Sequence, residues 1–237
     1  MTSMSNVQRA GAQILDLPRR AMSAVAPAVV PAQSVDDWGR DPHLVHLLSP
    51  LFTARWAVSV GGVEHLPAHA GALLVTNSRR LSFSPLYVSW ALSRATGRAV
   101  RFVGRPDLAP IGPALRRLGA LLHDPIEVRG ALRQGELVLM AAQSATHPRH
   151  AGTVDHELIG AAVAEGVQVH PVASMSTPFT RSARAEVGAV VRTRRARRGP
   201  LAEIELAEAT QRQLQTMLDE LGGLHTGMAP IDFLGEG

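Results

Sequence analysis

The 237-residue chain contains no cysteine and, because all 24 of its basic residues are arginine, no lysine. The absence of cysteine excludes disulfides, thiol catalysis and zinc–thiolate sites, and it fits a cytoplasmic protein. The N-terminus lacks the pattern of a signal peptide, and no apolar run approaches the roughly 20 residues that span a bilayer. We therefore expect a soluble protein, or one that associates peripherally with the inner membrane face.

The residues that are present are those of a globular protein. Hydrophobic residues make up 46% of the chain, and a chain of this length is ample for one sizeable core. Residues 1–34 interleave apolar residues with arginines, and Pro18 interrupts a helix there. We predict two parts: a flexible N-terminal arm over 1–34, and an α/β domain with a C-terminal helix over 35–237.

The net charge of +4 is unevenly distributed. Residues 181–198 contain seven arginines and one acid, Glu186, whereas residues 201–237 contain seven acids and one arginine, Arg212. The arginine run is open to three interpretations: it binds anionic lipid headgroups, it binds nucleic acid, or it pairs with the acidic helix. Nucleic acid is the least favoured partner, because no aromatic residues are interleaved with the arginines.

Strand-like and helix-like segments alternate along the domain. We predict strands at 56–60, 71–77, 99–104, 120–122, 136–142, 167–174 and 183–193, and helices at 43–52, 85–96, 111–119, 156–166 and 201–223. This alternation predicts a layered α/β fold, with a mainly parallel sheet flanked by helices.

Four segments, in this order, resemble blocks of the glycerolipid acyltransferase superfamily, which includes bacterial, PlsC-like 1-acyl-glycerol-3-phosphate acyltransferases. They are "VGGVEHLPAHAGALLVTN", "RFVGRPDLAPIGPALRRLGALLHD", "ALRQGELVLMAA" and "AVAEGVQVHPVA". The resemblance covers about half of the chain. It implies the family's α/β fold and, for an active member, acyl transfer from acyl-CoA or acyl carrier protein to a (lyso)phospholipid.

The reactive motifs of that family are degenerate here. The family pattern is Asn-His, four residues and Asp, in which the histidine is the general base and the aspartate orients it. Asn77 is present, but Ser78 stands at the histidine position. The aspartate position falls on Phe83, or on Ser84 if one residue is inserted, and Gln143 replaces the glutamate of the family's FPEGTR block. The resemblance therefore implies a member without the catalytic dyad.

Replacement groups are to be sought among the arginines and histidines. A guanidinium binds phosphate or carboxylate in bidentate fashion, so four arginines are candidate ligand-binding residues: Arg79, Arg80, Arg105 and Arg116. Three histidines flank the degenerate FPEGTR block and are candidate replacement bases: His147, His150 and His156. His123 precedes Asp124, but neighbours on a strand point to opposite faces, so we do not expect them to pair.

Metal and cofactor chemistry is not expected. The sequence has no HExxH spacing, no P-loop and no dinucleotide fingerprint. Where the family has Asp-Arg, with an arginine that binds the acceptor phosphate, this chain has Asp124-Pro125.

The sequence thus predicts a non-catalytic acyltransferase-fold protein, a pseudoenzyme, that binds acyl-CoA, a phospholipid-like ligand or a protein partner at the membrane surface. Two alternatives stay open. One is an atypical but active acyltransferase whose base lies elsewhere. The other is an arginine-mediated scaffold for nucleic acid or protein.

Overall fold

The structure, a computed structural model, describes residues 35–78, 84–143, 150–176, 181–193 and 199–223. The predicted arm over 1–34 lies outside these ranges, as do Arg79, Arg80, Phe83, His147 and most of the arginine run. The predictions made for those residues therefore stay predictions.

Within the described ranges the chain forms seven strands, six α-helices and one 3₁₀ turn at Val63–His65. The strands are β1 (Ala57–Gly61), β2 (Ala72–Thr76), β3 (Val100–Val103), β4 (Ala120–Leu121), β5 (Leu137–Ala141), β6 (Gln168–Ser176) and β7 (Ser182–Val187). The helices are α1 (Pro42–Arg55), α2 (Ser84–Thr96), α3 (Gly112–Arg117), α4 (Pro125–Arg133), α5 (His156–Glu165) and α6 (Pro200–Gly223).

The strands form one sheet in the order β1-β7-β6-β2-β5-β3-β4. The five strands from β6 to β4 are parallel, whereas β7 runs antiparallel to β6 and is joined by β1 in parallel with it. The predicted fold class, a mainly parallel layered sheet, is confirmed. Because the five strands are parallel, the residues that follow β2, β3, β4, β5 and β6 all meet at one edge of the sheet. We call this the carboxyl edge, where ligand sites of open α/β sheets are found.

The hydrophobic core lies on both faces of the sheet. All five residues of β2 are buried, as expected for a central parallel strand. Its side chains alternate, so that Leu73 and Val75 pack with α4, α5 and α6, whereas Leu74 packs with α2 on the other face. Outside α2 lies α1, held by the stacking of Phe52 on Trp90 with ring centroids 5.5 Å apart.

Two details differ from the prediction. The last strand ends at Val187 rather than continuing to residue 193, because the next pair in its register would involve Pro171, which has no N–H to donate. Helix α4 was not predicted, although its start carries local markers. Asp124 caps the helix by accepting from Ile126 N at 3.0 Å, and Pro125 occupies the first turn.

Candidate functional site

Asn77, directly after β2, is a structural link in this protein. It is 5% exposed, and its side-chain amide donates to Ser174 O at 2.9 Å. Its Oδ1 accepts from Ser174 N at 2.8 Å and from Ser174 Oγ at 3.1 Å. Strand β6 extends beyond the last paired residue of β2, and Asn77 continues the pairing with its side chain. Its polar atoms are therefore occupied by the sheet itself.

The three described residues that the sequence resemblance places at the family's motif positions carry no group that serves as a base near neutral pH. Ser78 follows Asn77 at the carboxyl edge and is partly buried. Ser84 is the first residue of α2 and is 6% exposed. Gln143 follows β5, and its backbone N donates to Thr153 O at 2.8 Å while its side chain is exposed. Hydroxyl and amide groups do not accept a proton from a substrate at this pH.

The two described candidate arginines lie in different surroundings. Arg105 follows β3 at the carboxyl edge and is 66% exposed. It makes a bidentate pair with Asp107, in which Nε donates to Oδ1 and Nη2 donates to Oδ2, each at 3.0 Å. Arg116, at the end of α3, instead hydrogen-bonds Glu127 of α4 and Ala120 O. Arg116 thus holds α3 against β4 and α4, whereas Arg105 faces solvent.

His123 pairs with a carboxylate that is distant in sequence. Strand β4 ends at Leu121, so His123 lies on the connection to α4, and its Nε2 is 2.7 Å from Asp155 Oδ2. Asp124 does not take part, because it caps α4. Asp155 caps α5 and accepts from Glu157 N at 2.9 Å. The structure therefore brings together an imidazole and a carboxylate at the carboxyl edge.

The charge state of Asp155 is well defined. Partial burial alone would raise the pKa of this carboxyl. The hydrogen bonds from His123 and from the backbone N–H of Glu157 outweigh burial and hold the pKa below its ordinary value. Asp155 is therefore ionised at neutral pH, and the hydrogen bond requires a proton on His123 Nε2.

His123 borders a cavity of about 640 Å³ between the connections that follow β3 and β4. Its lining residues are Val103, Gly104, Arg105, Asp107, Leu122, His123 and Asp124. The same two connections carry the exposed apolar side chains of Leu108, Ile111 and Leu122, and Ile126 follows in the first turn of α4, with exposed fractions from 37% to 80%. We call this the edge cavity.

Sequence reasoning looked for a replacement base among other histidines. Of these, His150 and His156 are exposed. His123 was missed as a base because its partner lies 32 residues away and is joined to it only through the fold. A local marker of Asp155 is present, since an aspartate before the helical pattern at 156–166 is a typical N-cap.

A second surface feature lies on α1. His43, Leu47, Leu51 and Arg55 follow one another at four-residue spacing, so they form one stripe along the helix. All four are exposed, with Leu47 at 68% and Leu51 at 64%. We call this the α1 stripe. Beside α1 lies a groove of about 870 Å³, lined by Arg40, His46, Arg94 and Arg181 together with neutral residues of α1 and α2.

Among the described residues that line this groove, none carries a carboxylate. Arg181 Nη2 donates to Thr53 O at 2.8 Å, and the guanidinium of Arg94 lies 5.2 Å from the ring centroid of Trp90. These contacts hold both cations against α1 and α2.

In the part of the chain that the structure describes, none of the helices has the length and apolar character needed to cross a membrane.

Comparisons with known proteins support the fold. The crystal structure of the 1-acyl-sn-glycerophosphate (LPA) acyltransferase PlsC from Thermotoga maritima matches with a TM-score of 0.55 and 17% identity, over 76% of this chain and 78% of that chain. The chain therefore has the α/β fold of that acyltransferase, as the sequence resemblance implied.

Sequence comparison matches part of the chain to mycobacterial proteins. Over 115 residues the chain is 34% identical to the uncharacterized protein Rv0502 of Mycobacterium tuberculosis and to the uncharacterized protein Mb0514 of Mycobacterium bovis. The match covers 44% of this chain and 32% of each relative, so it spans about a third of their length. No family model matches the chain.

Proposed function

We propose that this protein binds an acyl or phospholipid ligand at an anionic membrane surface and does not use the general base of the acyltransferase family. The observation that carries the proposal is the end of β2. There Ser78 stands where the resemblance places the histidine, and the neighbouring Asn77 is buried and hydrogen-bonded through both of its side-chain polar atoms to Ser174. The fold is that of an acyltransferase, while the position after β2 is non-catalytic.

The loss of the base outweighs the retention of the fold. General base catalysis contributes about 10²–10⁴ in rate, and neither serine nor glutamine supplies it. Core residues such as Leu73 and Val75 specify the sheet whether or not a reaction takes place there. A chain that keeps the core and loses the base therefore keeps a fold suited to lipid ligands without this chemistry.

The α1 stripe supports the membrane part of the proposal. Leu47 and Leu51 are exposed and lie between a histidine and an arginine, so they offer a lipid interface a small apolar surface with a cation beside it. Burying two fully exposed leucine side chains contributes about 3–6 kcal/mol. The gain here is smaller, because Leu47 and Leu51 are 68% and 64% exposed in the protein. Arg55 on the stripe, together with Arg94 and Arg181 in the adjacent groove, adds on the order of 1 kcal/mol per cation near anionic lipid. We expect reversible binding that weakens with salt.

The test is co-sedimentation with vesicles of phosphatidylcholine alone and with vesicles containing phosphatidylglycerol. We expect binding to the anionic vesicles, and we expect the double variant Leu47→Ser/Leu51→Ser to reduce it at least tenfold. The matched control is Leu201→Ser, since Leu201 on α6 is 76% exposed but does not lie on the stripe.

The outcomes separate the membrane from other partners. Equal loss of binding in the Leu201 variant would show that any exposed leucine serves and would contradict a defined membrane face. A wild-type protein that binds neither kind of vesicle would overturn the membrane proposal and point to a protein partner. Acyl transfer that is abolished by Ser78→Ala would overturn the statement that the position after β2 is non-catalytic.

A further inference from the structure

The edge cavity contains the groups that acid–base chemistry needs. His123 lines it, and Asp155 lies behind the imidazole at 2.7 Å. Imidazole–carboxylate pairs are the commonest means of removing a proton from a hydroxyl. We propose that His123 and Asp155 form a general-base pair that cleaves an acyl ester or thioester bound in the edge cavity. This places the chemistry three strands away from β2 in the sheet, because β5 and β3 lie between β2 and β4.

The hydrogen bonding selects the tautomer of His123. The carboxylate of Asp155 accepts a proton donated by Nε2, so in the neutral imidazole Nδ1 carries the free lone pair. Asp155 is held in place by its second role, because the N–H of Glu157 donates to its other oxygen. The carboxylate side chain is 18% exposed and the imidazole 53% exposed. The orienting group is therefore sheltered while the base is accessible.

The surroundings of the cavity fit an acyl substrate. Val103 and Leu122 line the cavity itself. Exposed apolar residues lie on the neighbouring segments: Leu108 and Ile111 on the connection after β3, and Ile126 in the first turn of α4. The Arg105–Asp107 pair at the rim is neutral as a pair, so it adds no net charge. Ligand sites typically combine apolar residues with a few polar groups that fix the orientation of the ligand.

In the proposed step His123 acts first as a base and then as an acid. Nδ1 of His123 takes the proton from water or from an alcohol as its oxygen attacks the acyl carbonyl. The new C–O bond gives a tetrahedral intermediate, whose collapse breaks the C–S bond of a thioester or the C–O bond of an ester. The imidazolium then returns the proton to the departing thiolate or alkoxide, which leaves as a thiol or alcohol. Asp155 stabilises the imidazolium in between.

The proposal rests on the proposed function for its ligand class, an acyl group. The experiment therefore measures binding and turnover separately. Decanoyl-CoA is the probe, its binding is measured by the shift in melting temperature, and its cleavage by release of free thiol with a thiol reagent. The chain has no cysteine, so it contributes no thiol of its own. Reactions with and without a lysophospholipid distinguish an alcohol acceptor from water.

Three variants define the role of the pair. We expect His123→Ala to lower thiol release at least 100-fold, and added imidazole to restore part of it, which a structural role would not allow. We expect Asp155→Asn to lower the rate at least tenfold without melting α5, because asparagine is an equally good N-cap. The matched control is His69→Gln, since His69 is exposed and precedes β2 at the opposite edge of the sheet.

The outcomes distinguish failure of the catalytic pair from failure of the proposed function. Thiol release that is lost in His123→Ala, rescued by imidazole and retained in His69→Gln supports the catalytic pair. Thiol release unchanged in His123→Ala overturns it. A melting shift with decanoyl-CoA but no thiol release overturns the catalytic pair and leaves the proposed function standing, whereas neither shift nor release counts against both.

Discussion

The ends of β2 and β4 lie at the same edge of one sheet, yet their polar residues do different things. After β2, Asn77 is 5% exposed and its amide is bonded entirely to Ser174. After β4, His123 is 53% exposed, borders a cavity and keeps one ring nitrogen outside its bond with Asp155. The first set of contacts joins two strands. The second orients a group that remains open to a ligand.

The difference shows that position at the carboxyl edge is not enough to make a site. A polar side chain that fills a buried pairing gap has no capacity left for a substrate. A polar side chain held by one sheltered partner keeps both its orientation and its access. Asn77 and His123 differ in their burial and in their hydrogen-bond partners, and these differences, rather than the strand that each residue follows, determine whether a ligand can reach them.

The largest effect expected from this comparison is on stability at Asn77. Asn77→Ala leaves the N–H and the carbonyl of Ser174 buried without a partner, and each such group costs about 1–3 kcal/mol. We expect the free energy of unfolding to fall by about 3 kcal/mol, measured by urea denaturation. The control is Gln143→Ala, whose backbone bond to Thr153 is retained and whose effect should stay within about 0.5 kcal/mol. Equal effects would refute the structural assignment of Asn77.

The two described candidate arginines should show the next largest difference. Arg116→Ala removes the partner of Glu127, which is 10% exposed, and should cost about 2 kcal/mol of unfolding free energy. This is below the value for a fully buried pair because Arg116 itself is 33% exposed. Arg105→Ala should change stability by less than about 0.5 kcal/mol, because its pair with Asp107 is exposed.

For ligand binding we expect the opposite ranking: replacing Arg105 should have the larger effect and replacing Arg116 the smaller. If the edge cavity holds the acyl ligand, Arg105→Ala should alter the melting shift produced by decanoyl-CoA, and Arg116→Ala should leave that shift unchanged. Thermal denaturation of both variants with and without the ligand measures this. A smaller shift in the Arg116 variant alone would assign the ligand to the surroundings of α3 instead.

The smallest effect concerns the two roles of Asp155. Asp155→Ala loses the cap of α5 and should cost about 1 kcal/mol, whereas Asp155→Asn keeps the cap and should cost less. The pKa of Asp155 is lowered in the fold, so the ionised carboxylate contributes stability above its unfolded pKa, near 4, that is lost as the pH falls through the folded value. The stability difference between wild type and Asp155→Asn should therefore shrink below about pH 4. A difference that grows on acidification would contradict this ionisation.

Several parts of the molecule were predictable because their markers are local. The burial of β2 follows from an uninterrupted apolar run, and α6 from its apolar spacing. Helix α4 was equally predictable, since Asp124 and Pro125 mark its start, and it was overlooked. The end of β7 was not predictable, because it depends on the register that places Gly188 opposite Pro171 of another strand.

The sequence by itself determined the alternation of strands and helices, the buried character of the central strands and the absence of an imidazole at Ser78. These properties depend on residue type and on the spacing of apolar residues, which repeats every two residues in a strand and every 3.6 residues in a helix. Residues close together along the chain are enough to establish them. Only the tertiary structure decided three hydrogen-bonded pairs: Arg116 with Glu127, Asn77 with Ser174, and His123 with Asp155. The pairing of β6 with β2 brings Ser174 to Asn77, and the position of α5 beside the end of β4 brings Asp155 to His123. Neither contact can be read from the residues that neighbour either partner along the chain.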